Sequence, residues 1–161
     1  MKIGRVTISD RASVGTYEDR SGPEIEKVLR EFFGDDLEFI PDIVPDEVDL
    51  IAAALKRFTD ELDCDLIITT GGTGIALRDV TPEATRGVLE KELPGFTEIM
   101  RVQSFAKVKT AILSRALAGT RGKSLIINLP GKPTAVRECL EILAPAIREG
   151  VAHLRGEDPH K

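Results

Sequence analysis

The sequence predicts a single three-layer α/β domain: a mostly parallel sheet with helices on both faces and one antiparallel hairpin. Three observations carry this reading. Strand-like and helix-like stretches alternate along the 161 residues, the pattern of βαβ units whose parallel strands need crossover connections. The run Leu66-Ile67-Ile68-Thr69-Thr70 is apolar or β-branched throughout, as a strand covered on both faces must be. Residues 114–120 and 124–129 are strand-like on either side of the turn Arg121-Gly122-Lys123, which reads as a hairpin. The expected domain spans residues 1–154, followed by a polar, frayed tail over 155–161.

Each element has its own warrant. The first strand covers residues 2–9 (KIGRVTIS) and ends at Asp10. A loop over 11–22 follows, and Pro23 opens a helix to about Phe33, since proline's missing N–H costs nothing in a first turn. Ile25, Val28, Leu29 and Phe32 share one face of that helix, and Gly34 stops it. Residues 37–44 form a second strand; Pro41 within it requires an edge position or a bulge, because it cannot donate to a ladder. Asp46 opens a helix to about Leu62, with Leu50, Ile51, Ala54, Leu55 and Phe58 as its apolar stripe. After the buried strand, Thr81-Pro82-Glu83 reads as a helix start, Thr81 as N-cap and Pro82 at the first helical position. Residues 95–107 read as an irregular helix, and a last helix runs from about Thr134 to Val151.

Composition narrows the function classes. A hydrophobic fraction of 42% with 30% charged residues is that of a globular protein. No apolar run approaches the roughly 18 residues of a membrane span, and the N-terminus enters a strand without a signal-peptide core; a cytoplasmic location and no membrane partner are expected. Cys64 and Cys139 lie far apart, without a CxxC or a neighbouring histidine, which fits reduced thiols and no zinc site. A net charge of −5 argues against a nucleic-acid face but admits an anionic small ligand, which needs only a few cations and backbone N–H groups. His153 and His160 fall at the C-terminal end, so a histidine-based nucleophilic triad is not expected.

In such sheets ligands bind beyond the carboxyl ends of the strands, where strand order reverses. The strongest local signal there is Thr69-Thr70-Gly71-Gly72-Thr73-Gly74. Glycines directly after a buried strand let the backbone approach an anion and aim N–H groups at it. It is not a dinucleotide fingerprint, because Leu77 stands where GxGxxG needs glycine, and Gly122-Lys123-Ser124 is not a P-loop, because Leu117 replaces its first glycine. Asp79 follows the glycine loop, and Asp46 ends the second strand. Locally each is either a helix cap or half of a carboxylate pair sharing a magnesium-bound polyphosphate. Ser9-Asp10-Arg11 ends the first strand as a turn or a polar site. Leu129-Pro130-Gly131-Lys132 ends the last strand as a plain turn or an anion-binding helix entry. Ser114-Arg115 is open in the same way.

Eight stretches in order, ISDRAS (8–13), YEDRSGPEI (17–25), IVPDE (43–47), TTGGTG (69–74), RDVTPEAT (78–85), LPGFTEIMR (93–101), AILSRA (111–116) and LPGKP (129–133), together resemble the molybdopterin adenylyltransferase family. That family includes the bacterial Mog-type enzymes and is similar to MoaB proteins and to the G domains of gephyrin and its plant counterparts. The resemblance implies transfer of AMP from ATP to the terminal phosphate of molybdopterin, with Mg²⁺ required and pyrophosphate released. It further implies a homotrimer and a molybdate-inserting partner protein that takes the product. Carried over residue by residue, it makes Asp46 and Asp79 the catalytic and metal-binding aspartates. Ser9, Asp10, Gly71, Gly72, Thr73, Gly74, Ser114, Arg115, Pro130, Gly131 and Lys132 become the substrate-binding set. Two features depart from the family pattern: Lys132 replaces a Gln or Asn, and no residues are inserted after Glu141. The competing readings are a non-catalytic pterin carrier or trimeric scaffold, which would need neither carboxylate, and a MoaB-like relative.

Overall fold

The computed structural model describes residues 1–157. It contains strands β1 (Lys2–Ile8), β2 (Glu38–Val44), β3 (Leu66–Thr70), β4 (Lys91–Glu92), β5 (Ala118–Arg121) and β6 (Ser124–Leu129). The helices are α1 (Asp10–Ser13), α2 (Ser21–Phe33), α3 (Val48–Lys56), α4 (Thr81–Arg86), α5 (Pro94–Lys107) and α6 (Pro133–Leu154). One six-stranded sheet has the order β2-β1-β3-β6-β5-β4. The β1/β2, β1/β3 and β3/β6 pairs are parallel, whereas β5 runs antiparallel to β6 and β4 to β5. The expected three-layer α/β sheet with an antiparallel hairpin is the one observed.

Alternation along the central strands divides the core into two layers. Leu66, Ile68, Leu125 and Ile127 face α2, α5 and α6, where Val28, Leu29, Met100, Leu140 and Ile147 meet them. Ile67 and Ile126 face the opposite way, onto Ile51, Leu55 and Phe58 of α3 and the π turn Arg57–Glu61, and onto Ala84 of α4. All five residues of β3 are buried, which is why its span could be read from composition alone. Pro41 lies in β2, the outermost strand on its side, so its missing N–H breaks no second ladder.

Several boundaries differ from the sequence reading, each for a tertiary reason. Asp46 stands outside α3 because its N–H donates to Asp10 Oδ1 at 3.0 Å; Glu47 precedes the helix instead, and the helix passes into the π turn before Leu62. Thr81 is the first helical residue rather than the N-cap, a position Val80 holds. Its hydroxyl donates to the Gly71 carbonyl at 2.9 Å. Residues 114–117 leave the expected strand because Arg115 N–H pairs with Thr73 O at 2.8 Å, and the preceding Lys109–Leu113 forms a 3-10 turn. The loop expected over 11–22 contains α1 and the start of α2. Arg155, placed in the polar tail, is tied by its Nε to Asp65 at 3.0 Å; His160 lies outside the described residues.

Candidate active site

The chain leaves β1 toward β2 on one side and returns to β3 on the other. The carboxyl ends of β1 and β3 therefore flank the reversal of strand order, where α/β sheets open a crevice. The turns after β1, β2, β3 and β6 share this edge, because all four strands run parallel. They carry Ser9 and Asp10, then Asp46, then the glycine loop, then Pro130 to Lys132.

The glycines of the loop are required by geometry. Gly71 and Gly72 take φ of 98° and 67°, in the left-handed region that side chains avoid. A Cβ on Gly71 would collide with Ile8 O. One on Gly72 would strike Thr81 Oγ1 and lie 3.0 Å from Asp46 Oδ1, and one on Gly74 would lie 2.8 Å from Asp79 Oδ2. Both aspartates thus stand against the same loop, one at each end.

Neither carboxylate caps the helix that follows it in the chain. Asp46 Oδ2 accepts the N–H of Asp10 at 2.9 Å, and Asp79 Oδ2 accepts the N–H of Ala76 at 3.0 Å; α3 and α4 have no side-chain cap. Burial holds the Asp46 carboxyl above its ordinary range, and the neighbouring charges of Asp10 and Asp79 push the same way. Asp10 is held below its ordinary range, chiefly by its hydrogen bonds from Arg78 and then by the Asp46 N–H. That guanidinium forks onto both Asp10 oxygens at 3.0 Å and reaches Glu47 at 3.0 Å.

Thr73 and Gly74 also line a cavity of about 420 Å³. Ser114, Arg101, Gly131 and Lys132 line it together with Met100 and Cys139 of the α5 and α6 walls. Burial pushes the Cys139 thiol up to about 11, so it stays protonated at neutral pH and is no nucleophile. The Ser21 hydroxyl donates to Gly131 O and that of Thr70 to Pro130 O at 2.6 Å, fixing the turn that forms one wall.

The sequence-derived residues therefore fall into two groups joined at Thr73 and Gly74. Asp10, Asp46, Asp79 and Gly72 form an acidic flank; Ser114, Pro130, Gly131 and Lys132 form the cavity flank. Ser9 spends its hydroxyl on α1, accepting from Ala12 N at 3.2 Å. Arg115 turns its guanidinium to Gly74 O at 2.8 Å, Asp79 O at 2.7 Å and the Glu83 carboxylate, so it braces the loop. Arg78, Thr81 and Arg101 were missed as site residues. All three stand in the quoted motifs, but only tertiary contacts distinguish them from surface or helix-start residues. Among the described residues, no group of three or more His, Cys, Asp or Glu side chains is arranged to hold a metal.

A helix-covered, mostly parallel sheet that gathers a glycine loop, two carboxylates and a cavity walled in part by Arg101, Lys132 and Glu138 at its switch point defines an α/β protein with a candidate ligand site at the carboxyl ends of its strands. The profile of the family described as "probable molybdopterin binding domain" matches residues 4–149, and the chain belongs to that family. It is similar to the molybdopterin adenylyltransferase of Helicobacter pylori, 60% identical over 145 residues covering 90% of this chain and 82% of that one. The Escherichia coli molybdopterin adenylyltransferase is 45% identical over 153 residues, covering 95% and 78%. Among solved structures, the molybdopterin biosynthesis enzyme MoaB of Thermus thermophilus superposes with a TM-score of 0.88 at 41% identity, covering 99% of each chain.

Proposed function

We propose that this chain is a molybdopterin adenylyltransferase of molybdenum cofactor biosynthesis, joining AMP from ATP to the terminal phosphate of molybdopterin. The observation that carries the reading is the approach of Asp46 Oδ1 and Asp79 Oδ2 to the two ends of one glycine loop, beside a cavity able to take a second substrate. In the reaction a terminal phosphate oxygen of the pterin attacks the α-phosphorus of ATP. The new P–O bond forms as the bond to the β-phosphate oxygen breaks, and pyrophosphate leaves with that electron pair.

The nucleophile is already ionised at neutral pH, so the site needs no strong base. Positioning and charge neutralisation must supply the acceleration. The Gly71 N–H is spent on Leu129 O at 3.1 Å; the N–H groups of Gly72, Thr73 and Gly74 are suited to hold phosphate oxygens, and Lys132 and Arg101 offer positive charge to the pterin phosphate in the cavity. Two carboxylates offering hard oxygen donors, with space kept open by glycine, fit a Mg²⁺ ion whose other ligands are substrate oxygens and water; Asp46 and Asp79 would hold it. When bound, the ion neutralises polyphosphate charge.

A homotrimer belongs to the same reading: Ile99, Val102, Phe105, Val108 and Ile112 expose apolar surface along α5 and the turn after it, as subunit contacts require. So do a cytoplasmic location and a molybdate-inserting protein as recipient of the product. No helix among the described residues is long and apolar enough to cross a membrane. The test incubates the protein with ATP, Mg²⁺ and molybdopterin and separates the pterins by chromatography. Adenylylated pterin and pyrophosphate in equal amounts support the proposal. Pterin binding without nucleotide turnover would replace the enzyme with a carrier.

A further inference from the structure

We infer that Arg78 is a positioning residue that sets the spacing between Asp46 and Asp79 by clamping three strand ends together; the inference rests on the catalytic reading of those aspartates. Asp46 follows β2 and Asp79 lies in the loop after β3, and β1 runs between them in the sheet. No ladder joins their turns directly. Arg78 bridges the gap. It is the chain neighbour of Asp79, and its fork takes both oxygens of Asp10, at the end of β1. Asp10 in turn exchanges two backbone-to-carboxylate hydrogen bonds with Asp46. The same guanidinium holds Glu47, next to Asp46. Among the described residues, no other side-chain hydrogen bond ties the 45–47 turn to the 75–80 loop.

The clamp lies on the surface: the Arg78, Asp10 and Glu47 side chains are 54%, 42% and 52% exposed. Exposed ion pairs contribute little to stability, so the arrangement is poorly explained as a fold-stabilising device. Its effect is on geometry. A planar fork on two oxygens fixes orientation, which a single ammonium does not. A pair of carboxylates meant to share a small cation of strict octahedral geometry needs such fixing, because Mg²⁺ tolerates little error in ligand placement. Groups that orient metal ligands from behind typically affect metal affinity by about 10–100-fold.

The experiment titrates Mn²⁺, a paramagnetic stand-in for Mg²⁺, by electron paramagnetic resonance in the presence of an ATP analogue with a methylene bridge between the α- and β-phosphorus. It compares wild type, Arg78→Ala, Arg78→Lys, Asp10→Asn and the Arg78→Ala/Asp10→Asn double variant. The clamp predicts that Arg78→Ala weakens Mn²⁺ binding about tenfold with an unchanged melting temperature. Arg78→Lys should resemble Ala, and the double variant should be no worse than the poorer single one, because both changes cut one link. Unaltered Mn²⁺ binding in Arg78→Ala, wild-type behaviour of Arg78→Lys, or losses that multiply in the double variant would each overturn it. Because the titration needs no turnover, a wild-type protein that binds Mn²⁺ with nucleotide yet makes no adenylylated pterin sinks the proposed function and leaves the clamp standing.

Discussion

Asp10 and Asp46 each accept the other's backbone N–H, at 3.0 and 2.9 Å. Such reciprocal pairing locks two turns together and also forces two carboxylates into one neighbourhood. The surroundings then divide them. Asp10 faces the Arg78 guanidinium and is held low, whereas Asp46 is partly buried, sits beside both Asp10 and Asp79, and is held high.

The two acids should therefore act on stability with opposite signs. An acid whose pKa rises on folding favours the fold while protonated and opposes it once ionised, so its contribution is lost as pH rises through the folded value. Asp46→Asn keeps an oxygen for the Asp10 N–H and removes the unfavourable charge. Its melting temperature should exceed that of wild type at neutral pH, and the gap should close as pH falls through the carboxylate range. Asp10→Asn should lean the other way only slightly, because the Arg78 pair that holds Asp10 low is exposed: melting close to wild type at neutral pH, with any small deficit vanishing in acid once wild-type Asp10 is protonated. AMP transfer by Asp46→Asn should drop by about a hundredfold or more. Calorimetry across pH, with product assays alongside, checks the set; an Asp46→Asn protein that melts below wild type at pH 7 contradicts it.

Gly72 and Gly74 should respond differently to one added methyl group. At Gly72 an alanine must hold a φ of 67°, costing roughly 1–2 kcal/mol, and must also displace Thr81 Oγ1 and crowd Asp46. Gly72→Ala should lose both stability and activity. Gly74 lies outside the left-handed region, and its added Cβ would meet only the Asp79 carboxylate. Gly74→Ala should melt like wild type and yet transfer AMP poorly. Equal losses of melting temperature in the two variants would refute the distinction.

Legibility from sequence followed the locality of the cause. The limits of β3 were readable because five consecutive buried residues need no knowledge of partners, and Pro41 announced an edge strand by its missing donor. The strand β4, two residues long, leaves no period to detect. Residues 114–117 looked like strand because they run into the β5–β6 hairpin, but pairing of Arg115 with Thr73 draws them to the glycine loop. Asp46 and Asp79 could be ranked only as caps or ligands, since helix-capping grammar and site chemistry use the same residue type. Only the partners of their oxygens separate the two, and those lie 36 residues away for Asp46. Arg78 was hidden for the same reason, and so was the part Arg115 plays in bracing the loop.

Arg115 offers a test of brace against substrate ligand. Its guanidinium holds two carbonyls and Glu83, and its side chain is 37% exposed, so solvent discounts the gain. Arg115→Ala should destabilise the fold by about 1–2 kcal/mol in chemical denaturation and raise amide exchange over residues 74–79. Were Arg115 a direct substrate ligand, the free protein would show neither change and only KM would move.

Lys132 offers the complementary test on the cavity flank. It lines the cavity just before α6 begins at Pro133, and an anion there would meet both its ammonium and the positive end of a 22-residue helix. Lys132 belongs to the cavity wall, whereas Asp46 and Asp79 stand against Gly72 and Gly74 of the glycine loop, so a change at Lys132 should alter binding of the pterin phosphate more than the chemical step. Lys132→Ala should raise KM for molybdopterin about fivefold to tenfold, as expected for a solvent-exposed charge contributing roughly 1 kcal/mol, with kcat and melting temperature near wild type. Salt supplies the control. The wild-type KM should climb with ionic strength, and that of Lys132→Ala should climb less, because one of the screened charges is gone. An equal fall in kcat and kcat/KM would instead place Lys132 in the transition state, and the division of the site into an acidic flank and a binding flank would have to be redrawn.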